Sequence, residues 1–127
     1  MTGREQWRRL ERLAVVLVAL HSYVIGLVLL LFPAWSIEFS GWEPTSTLFF
    51  TRQAGILHLV VATGYLAEHS RYGGVFLLVS AKTAATIFLA SVPFWDHPSW
   101  LVPACAVVDG LMGAVVWMLH RKAGRRR

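Results

Sequence analysis

Four apolar stretches, 13–32, 48–66, 74–92 and 100–119, constrain this chain more than any motif does. Each is about 20 residues long, the length at which a helix rising 1.5 Å per residue crosses ~30 Å of hydrocarbon. Charged residues make up 15% of the 127-residue chain, against about 25% in soluble domains. The expectation is an all-α protein in which a membrane four-helix bundle forms one domain, 1–127.

Local chemistry marks the ends of the stretches. Pro33 lacks the amide that a continuing helix needs, so it stops the first one. Basic residues precede that stretch, as in a signal peptide. A signal core has only about 7–15 apolar residues, so 13–32 reads as a retained helix. Residues 34–47 form a polar-aromatic connection, with Trp35, Ile37, Phe39 and Trp42 expected along the membrane surface. A short turn at 68–73 carries His69 and Arg71, and a proline-bounded loop spans 93–99.

Charge then orients the chain. Arg4, Arg8, Arg9, Arg12, Arg71, Arg121, Lys122, Arg125, Arg126 and Arg127 fall on one side, while the opposite connections hold Glu38, Glu43 and Asp96. Positively charged loops stay inside. The reading is a multi-pass protein of the inner (cytoplasmic) membrane with both N and C termini cytoplasmic. The net charge of +5 is thereby explained without a nucleic-acid partner. Trp35, Trp42, Trp95 and Trp100 form an outer aromatic belt, with Trp7 and Trp117 at the inner face.

Ionisable residues inside the stretches carry the functional information. A lysine or aspartate at a helix centre costs about 2.5–3.5 kcal/mol on insertion scales, so such groups turn inward and find partners. Counted from the inner helix ends, His21, His58 and Lys82 lie about 12 Å deep and Asp109 about 15 Å. One group per helix at a common level predicts a single polar centre. Lys82 and Asp109 are expected to pair, either as a structural tie between two helices or as part of a ligand or proton site, the alternative being that Lys82 snorkels outward and never meets Asp109. Ala106, Gly110, Gly113 and Ala114 mark a close-packing face on the last helix.

Other residues carry weaker signals. His21 and His58, on neighbouring helices, leave b-type haem open as a cofactor. Otherwise no cofactor and no metal site is expected, and His69 and His97 lack ligand-type neighbours at useful spacing. Arg52, near the outer end of the second helix, would reach headgroups, pair with Glu38 or Glu43, or line the outer mouth of a cavity. Cys105, the single cysteine, has apolar neighbours that leave its thiol unreactive.

The order of elements resembles the DoxX-like group of small bacterial four-helix membrane proteins. The residues that carry the likeness are Phe32-Pro33 at the end of the first helix and Arg52-Gln53-Ala54-Gly55 opening the second. Some of that group are associated with quinone-linked sulfur oxidation or redox-stress complexes. The resemblance carries over Arg52 and Gly55 alone, and Lys82 and Asp109 depart from the pattern.

No nucleophile–base arrangement is legible, and enzyme activity is not expected. Three functions remain. The first is a non-enzymatic accessory subunit acting through another membrane protein or a further copy of itself. The second is a binder of a small lipophilic ligand, such as a quinone, above the His21–His58–Lys82–Asp109 centre. The third is a proton or ion path through the same residues.

Overall fold

A computed structural model describes residues 3–124, whose regular structure is entirely helical. The elements are α1 (Gly3–Leu31), α2 (Pro33–Phe39), α3 (Phe49–Tyr72), α4 (Phe76–Ser91), a 3-10 turn (Val92–Phe94) and α5 (Leu101–Gly124). Three of the helical segments are long and apolar enough to cross a membrane: α1, α4 with its 3-10 turn, and α5. At 24 residues α3 is equally long, but it carries Arg52, His58, Glu68, His69 and Arg71 and is not among them.

Helix limits differ from the hydropathy limits. The basic head belongs to α1 from Gly3 onward, and α3 runs through His69 and Arg71 to Tyr72. Hydropathy records where hydrocarbon would lie. The backbone ladder continues past it because arginine, glutamate and lysine are good helix formers. Residues 33–39 of the first connection are a helix, with Pro33 at its first position, where a missing donor costs nothing. Arg125, Arg126 and Arg127 lie outside the described residues.

Two capping devices shape the turns. Glu68 accepts hydrogen bonds from the Phe76 and Leu77 amides at 3.0 and 2.8 Å. A carboxylate thus meets the positive N-terminal end of α4 and holds the α3–α4 turn. At the other end of the molecule Gly41, with φ 78°, closes α2. Its amide reaches the Glu38 carbonyl and the Trp42 amide reaches that of Ile37, the pairing that a left-handed glycine permits.

Helix α1 packs against α3 on one side and α5 on the other, and α4 packs on α5. Contact between α3 and α4 is much slighter. Trp7 lies under the Lys122 ammonium, 4.4 Å from ring centre to nitrogen. Both described ends of the chain therefore sit at one end of the molecule, here called the basic end. The aromatic end carries α2, Trp42, Trp95 and Trp100. Trp35 stacks on Phe39, whose ring meets the edge of Trp100.

The core lies toward the basic end: Val15, Val18, Ala19, Tyr65, Val75, Leu78 and Val116 are all buried. Leu13, Leu17, Leu20, Val24, Leu27 and Leu31 line the opposite, exposed face of α1. Exposed apolar surface of that extent belongs against lipid or another protein.

Candidate functional site

Charge meets charge between α4 and α5. Lys82 Nζ donates to Asp109 Oδ1 at 2.5 Å, with the two side chains only 7% and 16% exposed. Gly113 brings α5 close at this level, since a Cβ there would stand 3.2 Å from the Lys82 Cβ. The Lys82 carbonyl accepts a hydrogen bond from Thr86. Asp109 also borders a crevice of about 390 Å³ on the outer face of α4 and α5, with Thr83, Thr86, Gly110 and Gly113.

His21 of α1 stands near Lys82, Asp109 and His58. Its Nδ1 is buried and has no hydrogen-bond partner among the described residues. His58 donates from Nδ1 to the Ala54 carbonyl of its own helix at 2.8 Å. The register of α1 against α3 is set by Tyr23 and Thr63, 2.7 Å apart. Thr63 commits its proton to the Leu59 carbonyl, so Tyr23 is the donor. The four groups share a neighbourhood.

A haem between the two histidines does not fit. Gly26 and Gly55 face each other where α1 crosses α3, and a Cβ on either would stand 2.8 or 2.7 Å from the other's carbonyl oxygen. Both imidazoles lie within five residues of this crossing. Helix backbones this close leave no slot for a macrocycle.

Above these polar groups, toward the aromatic end, the helices open. A cavity of about 690 Å³ lies between α3 and the α4–α5 pair, roofed by α2 and the strap that follows it. Leu29, Phe50, Ala54, Leu89, Val102 and Cys105 supply its apolar wall. Hydroxyls of Ser36, Ser40, Thr47, Thr51 and Ser99 line the upper part. Ser36 and Ser40 are spent on the carbonyls of Phe32 and Ser36, whereas the Ser99 Oγ is buried without a partner among the described residues. Ala54 and Cys105 stand one turn above His58 and Asp109 respectively, so the cavity floor borders those two groups. The opening exists because α3 and α4 meet closely only near their turn, where Gly64 faces Leu77.

Arg52 does not line this cavity. It is exposed and borders a separate groove with Leu48, Phe49 and Ile56 on the outward side of α3. Its neighbours Thr51 and Ala54 point inward instead, since the helix turns through 100° per residue.

A second polar cluster at the basic end joins three helices. Glu11 of α1 is 5% exposed and accepts a hydrogen bond from His120 Nδ1 of α5 at 2.7 Å. His69 Nδ1 of α3 stands 4.0 Å from the same oxygen. Sequence reasoning placed His69 in a loop without neighbours. It belongs to the last turn of α3, where it approaches Glu11, 58 residues away in the chain, and lines one crevice with Glu11 and His120. Helical phase was the only available signal, because Glu11, Val15, Val18 and Ser22 share one face of α1. Glu11→Ala should lower stability by about 1–3 kcal/mol, the cost of stranding a buried polar partner. A thermal melt in detergent checks this, and an unchanged midpoint would show that the cluster ties nothing.

Among the described residues no group of three or more histidine, cysteine or acidic side chains is arranged to hold a metal ion. Comparison with protein-family models, curated proteins and solved structures finds no match.

Proposed function

We propose that this is a non-enzymatic integral membrane protein that holds a small lipophilic ligand in the cavity at its aromatic end. In this reading α1, α3, α4 and α5 cross the inner membrane as a four-helix bundle with both termini in the cytoplasm. The length of α3, about 36 Å at 1.5 Å per residue, supports a fourth span. Its low apolarity comes partly from an inward stripe of Gly55, His58, Ala62 and Tyr65 and partly from charges at its ends. Arginines at the basic end and exposed tryptophans at the other support the orientation. Kinship with the DoxX-like group belongs to the proposal too, resting only on Phe32-Pro33 and Arg52-Gln53-Ala54-Gly55.

The observation that carries the reading is the cavity itself. Its roughly 690 Å³ falls within the ~300–1,000 Å³ of small-molecule sites, and its mainly apolar wall with a few hydroxyls has their usual chemistry. A quinone is one ligand of suitable size. The slight contact between α3 and α4 offers a side entrance from the bilayer. Lys82–Asp109 closes the gap between α4 and α5 beneath, so the pocket has a firm floor. An accessory role beside a partner protein is the second reading, and it draws on the crevice at Asp109, Gly110 and Gly113.

Filling the cavity tests the first reading. Protein extracted directly into lipid nanodiscs should carry a stoichiometric lipophile by mass spectrometry. Ala54→Trp should reduce that content about tenfold while leaving the helical spectrum and melting midpoint in place. Equal content in the two proteins would remove the reading.

A further inference from the structure

The aromatic end holds a second opening of about 670 Å³ that adjoins the ligand cavity and shares Trp42, Glu43, Leu89, Ser99 and Val102 with it. Phe88, Trp95, Asp96 and His97 complete its border. Phe88 and Trp95 meet edge to face with ring centres 5.7 Å apart. Trp42 and Trp95 are both exposed. Asp96 Oδ1 accepts the His97 amide, which leaves its other oxygen free for a ligand. Among the described residues no lysine or arginine borders either opening. Arg52 lines a groove of its own.

Two carboxylates, two indoles and a phenyl ring around one mouth form the surroundings that an organic cation favours. Aromatic faces attract ammonium groups, quaternary ones above all, because such cations shed their water readily. The carboxylates add field of the same sign, and low-dielectric walls strengthen it. An anionic head would meet Glu43 and Asp96 with no compensating charge. The geometry points to a lipophilic cation as the ligand: an ammonium head at Trp42, Glu43, Trp95 and Asp96, and an apolar body in the cavity beneath. This assignment rests on the ligand-binding reading above and narrows it to one chemical class.

Three probes of equal chain length separate the possibilities: octyltrimethylammonium, 1-octanol and octanoate. Each is titrated calorimetrically into the protein in nanodiscs of phosphatidylglycerol, with empty discs subtracted. Octyltrimethylammonium should bind about tenfold more tightly than octanol, and octanoate more weakly than both. Glu43→Gln with Asp96→Asn should bring octyltrimethylammonium down to octanol and leave octanol unchanged. Both side chains are exposed, so the double variant should fold. Equal affinities for the ammonium and the alcohol, or a preference for octanoate, would overturn the cation assignment while preserving a lipophile site. Absence of binding by all three would overturn the ligand-binding reading itself. Repeating the ammonium titration in two discs of equal phosphatidylglycerol content, with the balance phosphatidylcholine in one and phosphatidylethanolamine in the other, identifies the source of the head at constant surface charge. A tenfold loss in the phosphatidylcholine disc relative to the other assigns the site to a choline lipid, and an unchanged affinity assigns it to a free cation.

Discussion

Asp109→Leu is expected to destabilise the protein by about 3–5 kcal/mol, because it leaves the Lys82 ammonium buried without its counter-ion. Lys82 is 6% exposed, and its stem packs against Gly113, so it has little freedom to reach water. Lys82→Met should cost a similar amount, now through an unpaired Asp109. The double variant Lys82→Met/Asp109→Leu should recover most of either loss, since an apolar pair of similar volume is often as stable as a buried ion pair. Unfolding free energy in bilayers is the measurement. If the double variant is as weak as the worse single variant, the two residues act through other partners and the direct pair is not what matters. The same double variant also separates structure from function. A stable protein that still binds its lipophile would confine Lys82–Asp109 to holding α4 on α5.

Gly55→Val should have an effect of comparable size for an unrelated reason. A Cβ on Gly55 would stand 2.7 Å from the Gly26 carbonyl oxygen and 2.8 Å from the Leu30 amide nitrogen. Both are backbone atoms and neither can swing away. The helices must part, and parting them strains the Tyr23–Thr63 hydrogen bond. Overpacking of a close core costs about 1–3 kcal/mol, and a rigid backbone neighbour puts Gly55→Ala at the upper end, with valine above it. Gly64→Ala is the control. Its nearest neighbour is the Leu77 Cδ2, the far end of a side chain that can change rotamer, so the cost should stay near 1 kcal/mol. Equal losses at Gly55 and Gly64 would contradict the view that the α1–α3 crossing is set by backbone contact.

Several features were open to reading along the chain. The four long helices follow from runs of apolar residues and Pro33 from its end-of-helix chemistry, but α2 lies in a stretch that reads as a connection. Lys82 and Asp109 could be matched because opposite charges at one depth in an apolar setting have few alternatives. Glu68 escaped notice, since nothing local says that a carboxylate will reach eight residues on to cap a helix. Arg52 keeps three readings along the chain, headgroups, a pair with Glu38 or Glu43, or a cavity mouth, because only its depth is legible there. Depth says nothing about azimuth, and one residue either way turns a side chain by 100°.

What the sequence determined by itself is therefore one-dimensional: where the four long helices lie, how far along each a charged group lies, and which ends are basic. Those properties depend on neighbours along the chain, through hydrogen-bond period and local hydropathy. Tertiary structure decided everything that depends on how helices face each other. It brought Glu11, His69 and His120 together, set Lys82 against Asp109, and opened a cavity where α3 leaves α4. Such outcomes hinge on close fits like Gly26 on Gly55, where a difference of one methyl group decides whether two helices touch, and no count along a single helix contains that distance.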